Sequence, residues 1–245
     1  MLTSYLDITN FSARNITIRE ADNLARTIAK SFQYPSTSKT AINKNISLQK
    51  KDQLLKQTVN FRTALDNKLK YTFGTFNKID TIIKAIKENC IVNCLEFSFL
   101  ASLYAKCSGI KNYDIKSLST LTKELDHGVL YVQNGNKPYV IDPWLGFADY
   151  VPKAIERYNS EFRNFLDFDN SSYKNIIFMD IPHNYNIIGT AYEFKHKYLS
   201  KNLLKQLRIH YPELLANYTP EKNKNVFKIL ADIVLTRFQK ENFWF

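Results

Sequence analysis

HGVLYVQNGNKPYVIDPW, residues 127–144, carries the clearest structural signal in the chain. Asn134-Gly135 between two β-rich runs is a strong hairpin signal. Pairing the strands across it makes residues whose numbers sum to 269 face each other, so His127 stands opposite Asp142. Pro138 tests this register. A two-residue loop would put the proline where the ladder needs an inward N–H. A four-residue loop, Gln133 to Asn136, keeps the sum and turns the missing N–H outward. His127 and Asp142 then form a non-hydrogen-bonded pair, with Cβ atoms about 4.5–5.5 Å apart. A carboxylate at that distance accepts Nδ1–H, fixes the tautomer and aims Nε2 at a third group. A cross-strand pair that only stabilises the sheet has the same spacing, so the third group decides its meaning.

Upstream, Asn93-Cys94-Leu95-Glu96 opens the apolar run Leu95 to Lys106, which Gly109 stops. The run reads as a buried helix with Asn93 as its cap. A cysteine at a helix N-terminus meets the positive end of the dipole, which favours the thiolate. Its backbone N–H has no carbonyl one turn earlier to bond and suits an oxyanion. Cys90 falls at the end of the preceding helix and Cys107 at the unfavourable end of the Cys94 helix. Three cysteines make an odd count, and their spacing fits neither a disulfide framework nor a zinc pattern. Reduced thiols are expected, and no metal.

The rest of the chain supplies mostly helices. Thr17-Ile-Arg-Glu20 is a capping box, with a helix to about Phe32. Further helices are expected over Leu48–Leu69, Lys78–Glu88, His196–Ile209 and from Thr219 onward. Asp114–Leu121 is a strand or a turn. Asn175–Ile181 and Asn186–Phe194 read as a second hairpin around Pro182-His183-Asn184. The layout is α+β, divided as a helical region over 1–77, a core over 78–195 and a helical region over 196–245, in one compact domain.

The order of cysteine on a helix N-terminus, histidine on a strand and aspartate ending the next strand resembles that of papain-like and transglutaminase-like cysteine enzymes. NCLEFSFLASLYA resembles their nucleophile segment, and His127 followed fifteen residues later by Asp142-Pro143-Trp144 resembles the second half of the site. Over residues 88–150 the chain is similar to the bacterial toxin and effector branch, which includes glutamine deamidases. The resemblance implies a central helix packed on a small antiparallel sheet. It implies Cys94 as nucleophile, His127 as general base and acid, and Asp142 as orienter. The reaction implied is acyl transfer without a cofactor, most simply deamidation of a glutamine on a partner protein. It also implies synthesis in a bacterial cytoplasm and delivery to a host cytosol. Proteolysis or transglutamination would use the same three residues. Arylamine N-acetyltransferases share Cys-x-Glu and the His–Asp pair, but this chain has IVNC and DPWLGF where they carry an Arg/Gly-rich segment and a Gly-Phe-Gly-like run. A helical adaptor without catalysis is the remaining alternative. A papain-type oxyanion glutamine is missing before the nucleophile, where Glu88 and Asn89 stand. Asn89 and Asn93 are the candidate substitutes, Glu96 a supporting residue, and Trp144 a shield for the His–Asp pair or part of the cleft.

Charge narrows the partners. Residues 1–90 carry 15 Lys/Arg against 7 Asp/Glu, residues 91–194 carry 9 against 12, and residues 195–245 carry 10 against 4. The basic flanks suit solvated helix faces, a protein substrate or weak association with an anionic membrane surface. They lack a nucleic-acid motif, so nucleic acid is not an expected partner. No apolar run reaches the roughly 20 residues of a membrane span. The N-terminus lacks a basic region followed by an apolar stretch, so no signal peptide is expected.

Overall fold

A computed structural model describes residues 16–31, 46–120, 124–165, 176–182 and 186–215. Among them are seven α-helices and five strands. In chain order they are α1 (Ile18–Ser31), α2 (Leu48–Lys70), α3 (Thr75–Asn89), α4 (Cys94–Cys107), β1 (Tyr113–Ser119), β2 (Glu124–Val132), β3 (Tyr139–Asp142), β4 (Phe147–Tyr150), α5 (Val151–Phe165), β5 (Ile177–Asp180), α6 (Asn186–His196) and α7 (Lys201–His210). The α+β class is therefore present. The strands form one antiparallel sheet in the order β4-β3-β2-β1-β5.

Helix α4 lies at the centre. Twelve of its 14 residues are buried, which is why its apolar pattern runs all round rather than along one face. It packs on β2, β1 and β3 and against α1 and α6. The buried cluster around it extends from Ile16 to Leu215. The capping box at Thr17 starts α1: Thr17 N–H donates to Glu20 at 2.8 Å and Glu20 N–H to Thr17 Oγ1 at 3.2 Å. α1 also closes one edge of the sheet, because Ala148 N–H on β4 donates to Asp22 Oδ1 at 3.0 Å. No helix among the described residues is long and apolar enough to cross a membrane.

Three expectations need correction. The β2–β3 register sums to 271, with Leu130 opposite Ile141 and Val132 opposite Tyr139. The tight turn is Asn134–Lys137, closed by Lys137 N–H to Asn134 O at 2.9 Å. It is centred one residue later than expected because Gly135, with φ +53°, takes the first central position of the turn. Pro138 stays outside the ladder, opposite Gln133, whose N–H goes to Asn112 O instead. Second, Asn186–Phe194 is not a strand but most of α6. Its Ile187, Ile188, Thr190, Ala191 and Phe194 are buried at helical spacing, so burial against α4 overrides the β-branched composition. β5 instead pairs with β1. Third, the helix expected from His196 begins at Lys201, capped by Ser200 accepting from Leu203 N–H. The expectations at His183 and from Thr219 onward fall outside the described residues.

Candidate active site

Three elements converge on one point. Cys94 is the first residue of α4, His127 lies in β2, and Asp142 ends β3. His127 Nε2 and Asp142 Oδ2 are 2.7 Å apart, with both side chains almost wholly buried. The pair survives the register shift because a shift of two residues keeps both side chains on the same face. The β2–β3 ladder ends at Leu130 and Ile141, so the contact is made beyond its last pair, and Trp144 of the following turn packs its ring 4.9 Å from the imidazole.

Gly128 brings α4 to this end of the hairpin. A Cβ there would meet the Leu95 Cα at 3.7 Å and the Cys94 carbonyl at 3.8 Å, so β2 runs directly against the first turn of α4. Cys94 lies close enough to raise the His127 value by hydrogen bond and by charge. One ring nitrogen departs from the role expected from sequence: Nε2, not Nδ1, is held by the carboxylate.

Asp142 has a second duty. Its Oδ1 accepts Leu145 N–H at 3.0 Å and its backbone carbonyl accepts Gly146 N–H at 2.8 Å, which fixes the turn from β3 to β4 and places Trp144. Glu96 supports the first turn of α4 from behind. It is 0% exposed, accepts Asn93 N–H at 2.9 Å in a capping box, and forms an ion pair with Arg62 of α2, Nε to Oε1 at 3.0 Å. Asn93 is accordingly the helix cap. Asn89 is exposed and donates to Ala85 O of its own helix at 2.8 Å, so its amide is engaged away from Cys94. Cys90 is exposed, whereas Cys94 and Cys107 are both buried, 9% and 3% exposed.

Sequence reasoning missed the ring partners on α5. Tyr158 and Phe162 present edges to His127 at centroid distances of 5.9 and 5.5 Å. The signal was legible: Pro152 near the helix start, then Ala154, Tyr158 and Phe162 four apart. Arg62 carried no comparable signal, because it reaches Glu96 across 34 residues of chain.

Electrostatics favour a charged imidazole. Burial alone pushes His127 toward neutrality. The Asp142 carboxylate, by charge and hydrogen bond, and Cys94, by hydrogen bond and charge, outweigh that and raise it from 6.5 to about 10. Burial pushes the Cys107 thiol up to about 12, so that cysteine is inert. Burial, then the Asp142 charge, also raises the Tyr158 hydroxyl well above its ordinary value.

The His127 shift has a consequence for stability. Its folded value lies above its unfolded one, so its contribution is complete below pH 6.5 and is lost as pH rises toward 10. The midpoint of urea unfolding is expected to fall across that window in the wild type. The slope should flatten in Asp142→Asn, where the carboxylate charge is gone. Equal slopes in the two proteins would contradict this assignment.

No family model, curated protein or solved structure matches the chain.

Proposed function

We propose that the chain is a cysteine-dependent acyl-transfer enzyme on a papain/transglutaminase-like core, deamidating a glutamine side chain on a partner protein. One observation carries this reading: a buried imidazole is held by a carboxylate and is also acted on by a cysteine at the first position of a helix. A structural histidine needs only the first of these contacts.

The chemistry follows from the geometry. Cationic His127 stabilises the Cys94 thiolate beside it. The sulfur attacks the amide carbonyl carbon, and the oxyanion faces the N-terminal turn of α4, where the helix dipole is positive. His127 gives its proton to the leaving nitrogen, the C–N bond breaks and ammonia departs from a thioester. Neutral His127 then takes a proton from water, the hydroxide adds to the thioester, and the C–S bond breaks. The products are a carboxylic acid and the restored thiolate–imidazolium pair. Asp142 holds the ring and its charge throughout. Trp144, Tyr158 and Phe162 keep water from the His–Asp contact, which strengthens it. The bacterial-effector assignment is supported by the sequence resemblance alone.

The test is a trap. Cys94→Ser protein is used to capture partners from host lysate, and the captured proteins are then treated with active enzyme. Deamidation predicts the small mass gain of an amide becoming an acid at one glutamine, by mass spectrometry. Peptide cleavage without that gain would make the chain a protease, and amine incorporation a transglutaminase. Acyl-enzyme formation from acetyl-CoA would make it an N-acetyltransferase.

A further inference from the structure

Beside the His127–Asp142 contact stands a polar group that the acyl-transfer steps do not use. Tyr158, on α5, is 0% exposed, and its hydroxyl finds no hydrogen-bond partner among the described residues. A buried hydroxyl left unsatisfied is destabilising, so phenylalanine would be the more stable residue at this position. The apolar neighbours would accept one: the ring stacks on Phe162 at 5.8 Å and packs on Phe147 at 5.4 Å.

The placement of the ring indicates what the hydroxyl is for. It lies edge-on to the imidazole that Asp142 holds, at 5.9 Å. It also packs on Phe147, the residue directly across the β3–β4 ladder from Asp142. Tyr158 thus touches both neighbours of the carboxylate. That carboxylate has accepting capacity left, since Oδ1 takes Leu145 N–H and Oδ2 meets His127, two of about four lone-pair sites. Burial, then the Asp142 charge and its closeness as an acceptor, hold the Tyr158 hydroxyl well above its ordinary value. The phenol therefore keeps its proton and stays a donor. In the resting site the imidazolium balances the Asp142 charge. Once His127 has given its proton to the leaving nitrogen, a buried carboxylate faces a neutral ring, which is costly without a further donor. On the acyl-transfer reading, we infer that Tyr158 is a positioning residue whose hydroxyl donates to Asp142 while His127 is neutral and lets go when the imidazolium returns. The phenol proton never leaves its oxygen; only the hydrogen bond forms and breaks. The thioester stage, in which His127 is neutral, is the stage this stabilises.

The inference can be tested by titration. Burial opposes a charge on His127, and Asp142 of β3 and Cys94 of α4 favour it. Asp149, on β4 beside α5, is paired with Arg157 at 3.4 Å. Cys94→Ser removes the thiolate and leaves Asp142 and Tyr158 to act on the ring. The His127 ring signal is followed through pH by NMR in ¹³C-histidine-labelled, full-length Cys94→Ser protein, with and without Tyr158→Phe, and is assigned by its absence from His127→Gln. Losing the donor withdraws support from the neutral ring. Tyr158→Phe should therefore raise the midpoint by about half a pH unit or more, a threefold or larger gain in proton affinity. The thermal midpoint at mildly acidic pH should be unchanged or raised, because the resting hydroxyl has no partner to lose. In an Asp142→Asn background the two titrations should coincide. No shift, a downward shift, or an equal shift in the Asp142→Asn background would each overturn the inference. An unfolded or markedly less stable Tyr158→Phe would do so too, by making the hydroxyl structural. The titration is read without Cys94, so its outcome is separate from that of the lysate trap, which tests the acyl-transfer reading itself.

Discussion

Asp142→Ala is expected to lower the free energy of unfolding by about 3–5 kcal/mol, the range for removing one member of a buried ion pair. In a chain of this length each kcal/mol shifts the thermal midpoint by about 2–4 °C, so the loss should be visible in a simple melt. Three contacts disappear at once: the acceptor of His127 Nε2, the acceptor of Leu145 N–H, and the charge that keeps the imidazole cationic. The pH slope makes the prediction sharper. Without the carboxylate, burial opposes the charge and only Cys94 still favours it, so the His127 value falls back toward its unfolded one. The proton uptake that links folding to pH then shrinks, so the variant's stability should change less between pH 6.5 and 10. Wild type should lose stability toward pH 10. A flatter slope in the variant supports the pair as described, and parallel slopes would contradict it.

The second large effect concerns Cys94. Cys94→Ser should reduce acyl transfer by about 10⁴-fold or more, because a hydroxyl beside a cationic imidazole has no ready base. Reactivity can be measured without a substrate. Both remaining cysteines are buried, so in a Cys90→Ser background it is the imidazole beside Cys94 that should let iodoacetamide label it at mildly acidic pH and leave Cys107, whose thiol is pushed up to about 12. His127→Ala should slow that labelling by about 10²-fold. Slow labelling unaffected by the histidine would return Cys94 to the status of a small core residue.

Helix periodicity and capping made much of the fold legible. Leu48–Leu69 against Leu48–Lys70, and Leu95–Lys106 against Cys94–Cys107, agree because caps and breakers stand at their ends. The His–Asp contact was legible for a more forgiving reason. A register error of two residues leaves each side chain on its own face, so the partners were found although the turn was misplaced. What failed was what only tertiary packing decides. Asn186–Phe194 is rich enough in β-branched residues to read as a strand, and only its burial on α4 makes it a helix. The ring nitrogens could not be assigned from sequence, because their roles depend on which side α4 approaches β2. The Arg62–Glu96 pair joins helices with no local signal for each other.

The double duty of Asp142 bears on how such a site would be inherited. Its carboxylate holds the β3–β4 turn as well as the imidazole, so a descendant that has lost its chemistry is still under pressure to keep it. His127, packed among three aromatic rings, is in the same position. On the proposed reading, the aspartate and histidine would outlast the activity in a descendant, and a change at position 94 would be the first sign of its loss.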